Sequence, residues 1–266
     1  MRYRLADDAR PQAKTLLIVA AASVVLWFVP FAEVLSYPFR IFVTFIHEGG
    51  HAIAALLTGN SVQSLSVAMN ASGETYTTQG GTLSQMFVSS AGYLGAMSFG
   101  AALLVLIRRA IAARFILYGS AGIILFLTTV FGFVKPIFSA SWDGLTGIPF
   151  TLFAGMTLSF ALFLLGKFTS TRVAMLVVSM IAVQCVLNAL LDLKTVFFLS
   201  SPFAASVPND AVNMANATGV PAIIWSILWI TLAVGILILS LRLYVSARDR
   251  AFDAQKDLPF EGNVEV

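Results

Sequence analysis

The feature that most constrains this chain is a recurrence of apolar blocks, each close to the roughly 20 residues of helix that cross a hydrocarbon core. They occupy about 15–32, 37–58, 86–107, 115–134, 145–165, 173–199 and 221–241. Of the 266 residues, 58% are hydrophobic and 11% charged, where a soluble domain carries about a quarter charged. The pattern predicts an all-α polytopic membrane protein of six to seven transmembrane helices, the first block being the marginal one. That block contains Trp27 and Pro30 and is followed by no small-x-small cleavage pattern, so it reads as an uncleaved segment rather than a signal peptide.

Between the second and third blocks the character changes. Leu65, Val67 and Met69 alternate with polar residues, Asn70-Ala71-Ser72-Gly73 supplies a turn, and Glu74 to Thr78 is polar and β-like, which predicts a small β-hairpin. No linker or internal repeat divides the chain. We therefore expect one membrane-embedded domain over 1–245, with a β-like insert at about 61–82, followed by a polar tail over 246–266.

The net charge is +3, and the basic residues fall between blocks rather than in a cluster suited to nucleic acid. Arg108, Arg109 and Arg114, then Lys167 and Arg172, then Arg242, Arg248 and Arg250 occupy alternate gaps, which places those gaps on the cytoplasmic side. Arg2, Arg4, Arg10 and Lys14 join that side only if the first block dips in and returns. The single cysteine, Cys185, can form no intrachain disulfide.

The chain has two histidines, and they stand four residues apart in the second block, in His47-Glu48-Gly49-Gly50-His51. Gly59-Asn60 ends that block, so the motif lies inside a helix. Positions i and i+4 point the same way, and both imidazoles can bind one ion. Glu48 stays near the metal and can take a proton from water activated there and pass it to a leaving amine, as the glutamate of an HExxH motif does. The plainer alternative is a pair of histidines hydrogen-bonded in the bundle. Against it, ionisable groups in a membrane helix cost roughly 2.5 to 3.5 kcal/mol each at the centre, and Zn2+ would offset that cost.

Two histidines leave a catalytic zinc short of one protein ligand. With no third histidine and one poorly suited cysteine, a distal carboxylate is required. Asp192 is the preferred candidate, because besides Glu48 it is the acidic residue set within a strong apolar block, and Gln184, Asn188 and Asp192 form one stripe at i, i+4 and i+8. The alternative reading of such a stripe is interhelical hydrogen bonding without a metal. Asp210, in Pro208-Asn209-Asp210, and Asp143, after Trp142, are weaker candidates in loops.

The motif in a membrane helix, the hairpin after it, and Ser90-Ala91-Gly92-Tyr93-Leu94-Gly95 together resemble the site-2 protease family of intramembrane zinc metalloproteases, and its short bacterial branch that lacks a PDZ domain. The resemblance runs from about Phe42 to the last block. It implies that His47 and His51 bind zinc, that Glu48 is the catalytic base, and that an aspartate on a later membrane helix, here Asp192, completes the site. It also implies a membrane-protein substrate and a place in the bacterial cytoplasmic membrane. The later helix departs from the family's Asn-Pro-rich stretch ending in Leu-Asp-Gly, reading Asn188-Ala189-Leu190-Leu191-Asp192-Leu193.

Two further features have readings of their own. An exposed edge on the hairpin could hold an extended substrate by β-augmentation, or the hairpin is an ordinary surface element. Gly92, Ala96 and Gly100 recur every fourth residue and are read as a close helix contact. Two other functions compete with intramembrane proteolysis: a metal-handling transporter, suggested by intramembrane polar residues but lacking paired discontinuous repeats, and a catalytically silent relative that binds membrane partners.

Overall fold

The computed structural model describes residues 10–26, 33–108, 112–139, 142–201 and 207–246. In order the elements are α1 (Arg10–Leu26), α2 (Glu33–Leu57), β1 (Val62–Val67), β2 (Gly73–Thr77), α3 (Thr82–Arg108), α4 (Ala113–Phe126), α5 (Lys135–Ser139), α6 (Trp142–Phe168), α7 (Thr171–Leu199), α8 (Asp210–Thr218) and α9 (Ala222–Ser246). A π-helical stretch, Leu127–Val134, joins α4 to α5 without a break. Apart from Ser246, the expected polar tail lies outside the described residues.

Five helices are long and apolar enough to cross a membrane: Thr82–Ile107, Ala113–Ser139, Gly144–Phe168, Thr171–Leu199 and Ala222–Tyr244. The protein is thus an integral, multi-pass membrane protein of predominantly helical fold. Helix α2 has the length, but it carries Arg40, His47, Glu48 and His51 and is not among these five. The described apolar run of α1, Ala13–Val25, amounts to about 20 Å of helix and packs on α7, where the buried Gln184 Nε2 donates to Ser23 Oγ at 3.2 Å. Arg114 Nη2 donates to Thr169 O at 3.2 Å, so the α3–α4 and α6–α7 connections, both basic, share one end of the bundle.

Helices α2 and α3 approach at Gly50. A Cβ there would run into the carbonyl oxygen of Ala91, and Gly50 Cα is 3.6 Å from where a Cβ on Gly95 would stand. The small residues of both helices therefore permit a backbone-to-backbone crossing, and that crossing brings the motif face of α2 against Gly92.

The predicted hairpin forms, and its position was not legible in the sequence. It lies alongside α2, with β1 packed between α2, α6 and the π-helical stretch, at the level of Gly132 and Thr151 within two candidate spans. Residues 37, 40, 44 and 48 share one face of α2. The first three hold the turn: Tyr37 Oη donates to Met69 O at 2.7 Å, Arg40 to Asn70 O at 3.5 Å, and Thr44 Oγ1 to Ala71 O at 2.8 Å. Ala71 is kept at a φ of 65°, a conformation L-residues seldom adopt.

The register pairs Leu65 with Thr75, Ser66 with Glu74 and Val67 with Gly73, and Ala68 N donates to Ser72 O at 2.9 Å. In an antiparallel pair hydrogen-bonded and non-bonded partners alternate, so the main-chain groups of Leu65 and Val67 on β1, and of Gly73 and Thr75 on β2, point away from the partner strand. On β1 this outer edge is covered. Val67 N donates to Thr151 Oγ1 at 2.9 Å, and Ser139 Oγ donates to Gln63 O at 3.1 Å. On β2 it is open, because the sheet has two strands among the described residues.

Candidate metal centre

Helix α2 carries His47 and His51 into the bundle with their Nε2 atoms 3.0 Å apart. His51 Nδ1 lies 2.7 Å from the carbonyl oxygen of Val88. Since a carbonyl only accepts, Nδ1 holds the proton and Nε2 presents a lone pair. The His47 ring packs edge-on against Tyr93, centroids 4.6 Å apart, and Tyr93 in turn packs on Trp229 at 5.5 Å. Trp229 is anchored by its Nε1–H to Ser90 Oγ at 3.0 Å. Val88, Ser90 and Tyr93 all come from the first half of α3, which is thus a scaffold for both imidazoles.

Gly92 lies between them and that scaffold. A Cβ at this position would collide with Nε2 of both His47 and His51. The sequence pattern reads this glycine as helix packing, whereas the structure makes it part of the floor of the site.

Glu48 is buried, at 5% exposure. Thr75 Oγ1, from β2, lies 2.7 Å from Glu48 Oε2 and 3.1 Å from the Glu48 carbonyl oxygen. A Cβ on Gly73 would stand 2.6 Å from Glu48 Cγ, so β2 closes directly over this side chain.

The carboxylate that joins the histidines is Asp210, not Asp192. Asp210 Oδ2 is 3.7 Å from His47 Nε2 and 3.5 Å from His51 Nε2. It opens α8, whose start is fixed by Asn209: the Asn209 side chain accepts from Ala211 N at 3.0 Å and Val212 N at 3.1 Å. Helix α8 packs against α3 and α9, which carries a residue from a polar connection into the bundle. Burial alone would raise the Asp210 carboxyl, but the neighbouring His51 and His47 imidazoles outweigh it and hold it well below the usual carboxylate range. Asp192, the candidate preferred on sequence, is exposed on α7 and is not in the group whose ligand atoms converge. Within its stripe, Gln184 does what the alternative reading expects and bonds across to Ser23 on α1, while Asn188 Nδ2 donates to Gln184 Oε1 at 3.0 Å inside α7. The Asp143 side chain lies outside the described residues.

The donor set suits a metal ion. A tetrahedral ion bonded at roughly 2.0 to 2.1 Å spaces its ligand atoms about 3.3 Å apart, and the three observed separations, 3.0, 3.5 and 3.7 Å, bracket that value. Two Nε2 atoms facing each other and a carboxylate oxygen need a positive charge among them. The Val88 carbonyl supplies the outer hydrogen bond that fixes a ligating imidazole's tautomer.

The group opens onto a cavity of about 780 Å3. Glu48 and the strand β2 form one wall, and Asn209, Asn213 and Asn216 contribute to another. The open edge of β2 therefore faces the same space as the two histidines.

A family model described as peptidase M50B-like matches residues 16–240. The chain belongs to the peptidase M50B-like family. This membership agrees with the site-2 protease resemblance carried by the HExxH helix and makes the M50B-like chain a member of a family of membrane-embedded metallopeptidases. No curated protein and no solved structure matches it. Of the residues that converge at this candidate centre, the sequence ranks Asp210 below Asp192 and gives Thr75 no role. A distal loop carboxylate gives no local signal, and nor does a threonine in a hairpin.

Proposed function

We propose that this protein is a zinc-dependent endopeptidase that hydrolyses a peptide bond within or near a transmembrane segment of a membrane-protein substrate. The observation that carries the reading is the convergence of His47, His51 and Asp210 beside a buried Glu48, all on a cavity walled by an open strand edge. His47 Nε2, His51 Nε2 and Asp210 Oδ2 would hold the metal. Bound there, Zn2+ supplies Lewis acidity that polarises the scissile carbonyl and acidifies water.

The remaining steps belong to the chain's own residues. Glu48 takes the proton of the attacking water and delivers it to the departing amine nitrogen. The outward N–H and C=O groups of Gly73 and Thr75 pair with a substrate in extended form, which a peptide bond must adopt because a helix shields its own carbonyls. Asp210 Oδ2, facing both Nε2 atoms, would complete the ligand set.

Metal analysis of the purified protein, together with cleavage of a membrane substrate by wild type and Glu48→Gln, tests the proposal. The expected result is one zinc per chain in both proteins and cleavage by wild type alone. Equal cleavage by both would overturn the mechanism, and absence of zinc from wild type, with zinc retained by a control protein purified alongside, would overturn the site.

A further inference from the structure

Glu48 follows a ligand histidine directly and is 5% exposed. A buried carboxylate needs hydrogen-bonding partners, and the one that the described structure gives it is a hydroxyl, Thr75 Oγ1, at 2.7 Å from Oε2. The same Oγ1 lies 3.1 Å from the Glu48 carbonyl oxygen. A β-branched side chain has few χ1 choices, and the single hydroxyl proton has both of its acceptors on Glu48, the carboxylate being the nearer. On the other flank, Gly73 presses on Glu48, with the position of a Cβ only 2.7 Å from Oε1.

Thr75 is also an edge residue. Its main-chain N–H and C=O point away from Leu65 and β1, by the alternation of the register, into the cavity that holds the histidines. One residue thus offers its backbone to whatever lies along the strand and its side chain to the carboxylate beside the ligands.

We infer that Thr75 is a positioning residue for Glu48: its hydroxyl, presented from the open strand, fixes the carboxylate, so that the strand where a substrate is laid out and the base that serves it share one residue. This rests on the reading of Glu48 as the base.

The test uses the full chain in detergent, loaded with Co2+, and follows the cobalt d–d absorption as acetohydroxamate is added, because a hydroxamate bound at such an ion also contacts the neighbouring base. Thr75→Val removes the hydroxyl and keeps the shape, and is expected to weaken acetohydroxamate binding roughly tenfold or more, with the cobalt band before addition unchanged. Thr75→Ser restores the hydroxyl and is expected to recover most of that loss. Wild-type affinity in Thr75→Val would overturn the inference. Equal weakening in Thr75→Val and Thr75→Ser would also overturn it, by assigning the effect to the methyl group. So would loss of the cobalt band in Thr75→Val alone, by making Thr75 a support of the ligands instead. Glu48→Gln separates the two levels. If it binds acetohydroxamate as wild type does, the reading of Glu48 fails. If it binds weakly while Thr75→Val binds fully, only the role of Thr75 fails. A wild type with no cobalt band overturns the metal centre itself.

Discussion

Oδ2 of Asp210 lies 3.5 Å from Nε2 of His51, although one residue opens a short helix after a polar connection and the other sits deep in an apolar one. If this contact marks a shared ion, Asp210→Asn weakens metal binding by more than the roughly 10- to 100-fold that loss of an outer partner costs. Asp192→Asn leaves metal content at the wild-type level. Zinc stoichiometry after dialysis against a graded chelator measures both, and the opposite ranking would restore Asp192 as the ligand.

Glycine positions near the motif should differ sharply in their tolerance. A methyl group at Gly92 points into both imidazoles, so Gly92→Ala is expected to lose metal while the helix content by circular dichroism stays unchanged. At Gly50 the obstacle is the Ala91 backbone carbonyl, so Gly50→Ala forces α2 and α3 apart and lowers stability by about 1–3 kcal/mol. Gly49→Ala meets the side chain of the buried Leu127, with Cδ1 at 2.7 Å, rather than a backbone, and should cost less than Gly50→Ala. Thermal unfolding in detergent ranks the last two.

Thr151 clamps the hairpin to α6. Its hydroxyl is buried and accepts from Val67 N at 2.9 Å, a donor that the β-ladder cannot serve. Thr151→Val strands that N–H in the bundle and should cost about 1–3 kcal/mol. Thr129, whose hydroxyl bonds back along its own helix to Leu125 O at 2.8 Å and Phe126 O at 3.3 Å, is the control: Thr129→Val should unfold within about 0.5 kcal/mol of wild type.

The positive-inside rule predicts that the basic connections at one end of the bundle are cytoplasmic and that the hairpin base, at the other end, is not. With the native thiol of Cys185 buried, single-cysteine labelling can read this directly. Gln79→Cys, at an exposed position, should react with a membrane-impermeant maleimide in intact cells, and Thr171→Cys only after permeabilisation. The reverse pattern would invert the topology.

Much of the fold was legible because apolar blocks and the 3.6-residue spacing of the histidines are local signals. The alternation of Leu65 and Val67 likewise announced the hairpin. The third carboxylate was not legible, and the reason is physical. Sequence logic favours Asp192 because a charged group in an apolar helix needs a partner, but α7 presents that residue at an exposed position. Asp210 looks like a solvated loop residue until Asn209 starts a helix that packs against α3 and α9. Thr75 was illegible for a similar reason, since only the register of a hairpin lying along α2 brings it to Glu48.

The open edge of β2 has one more consequence. Hydrocarbon cannot satisfy amide groups, and leaving them bare costs several kcal/mol apiece, so lipid tails are an unsuitable neighbour and water must fill the space whenever no peptide does. A peptide that replaces this water exchanges one set of hydrogen bonds for another at little net gain. What then decides whether a segment binds is the free energy it gives up in uncoiling. Selectivity at such an edge would be a measurement of helix stability in the client, taken one unwound turn at a time.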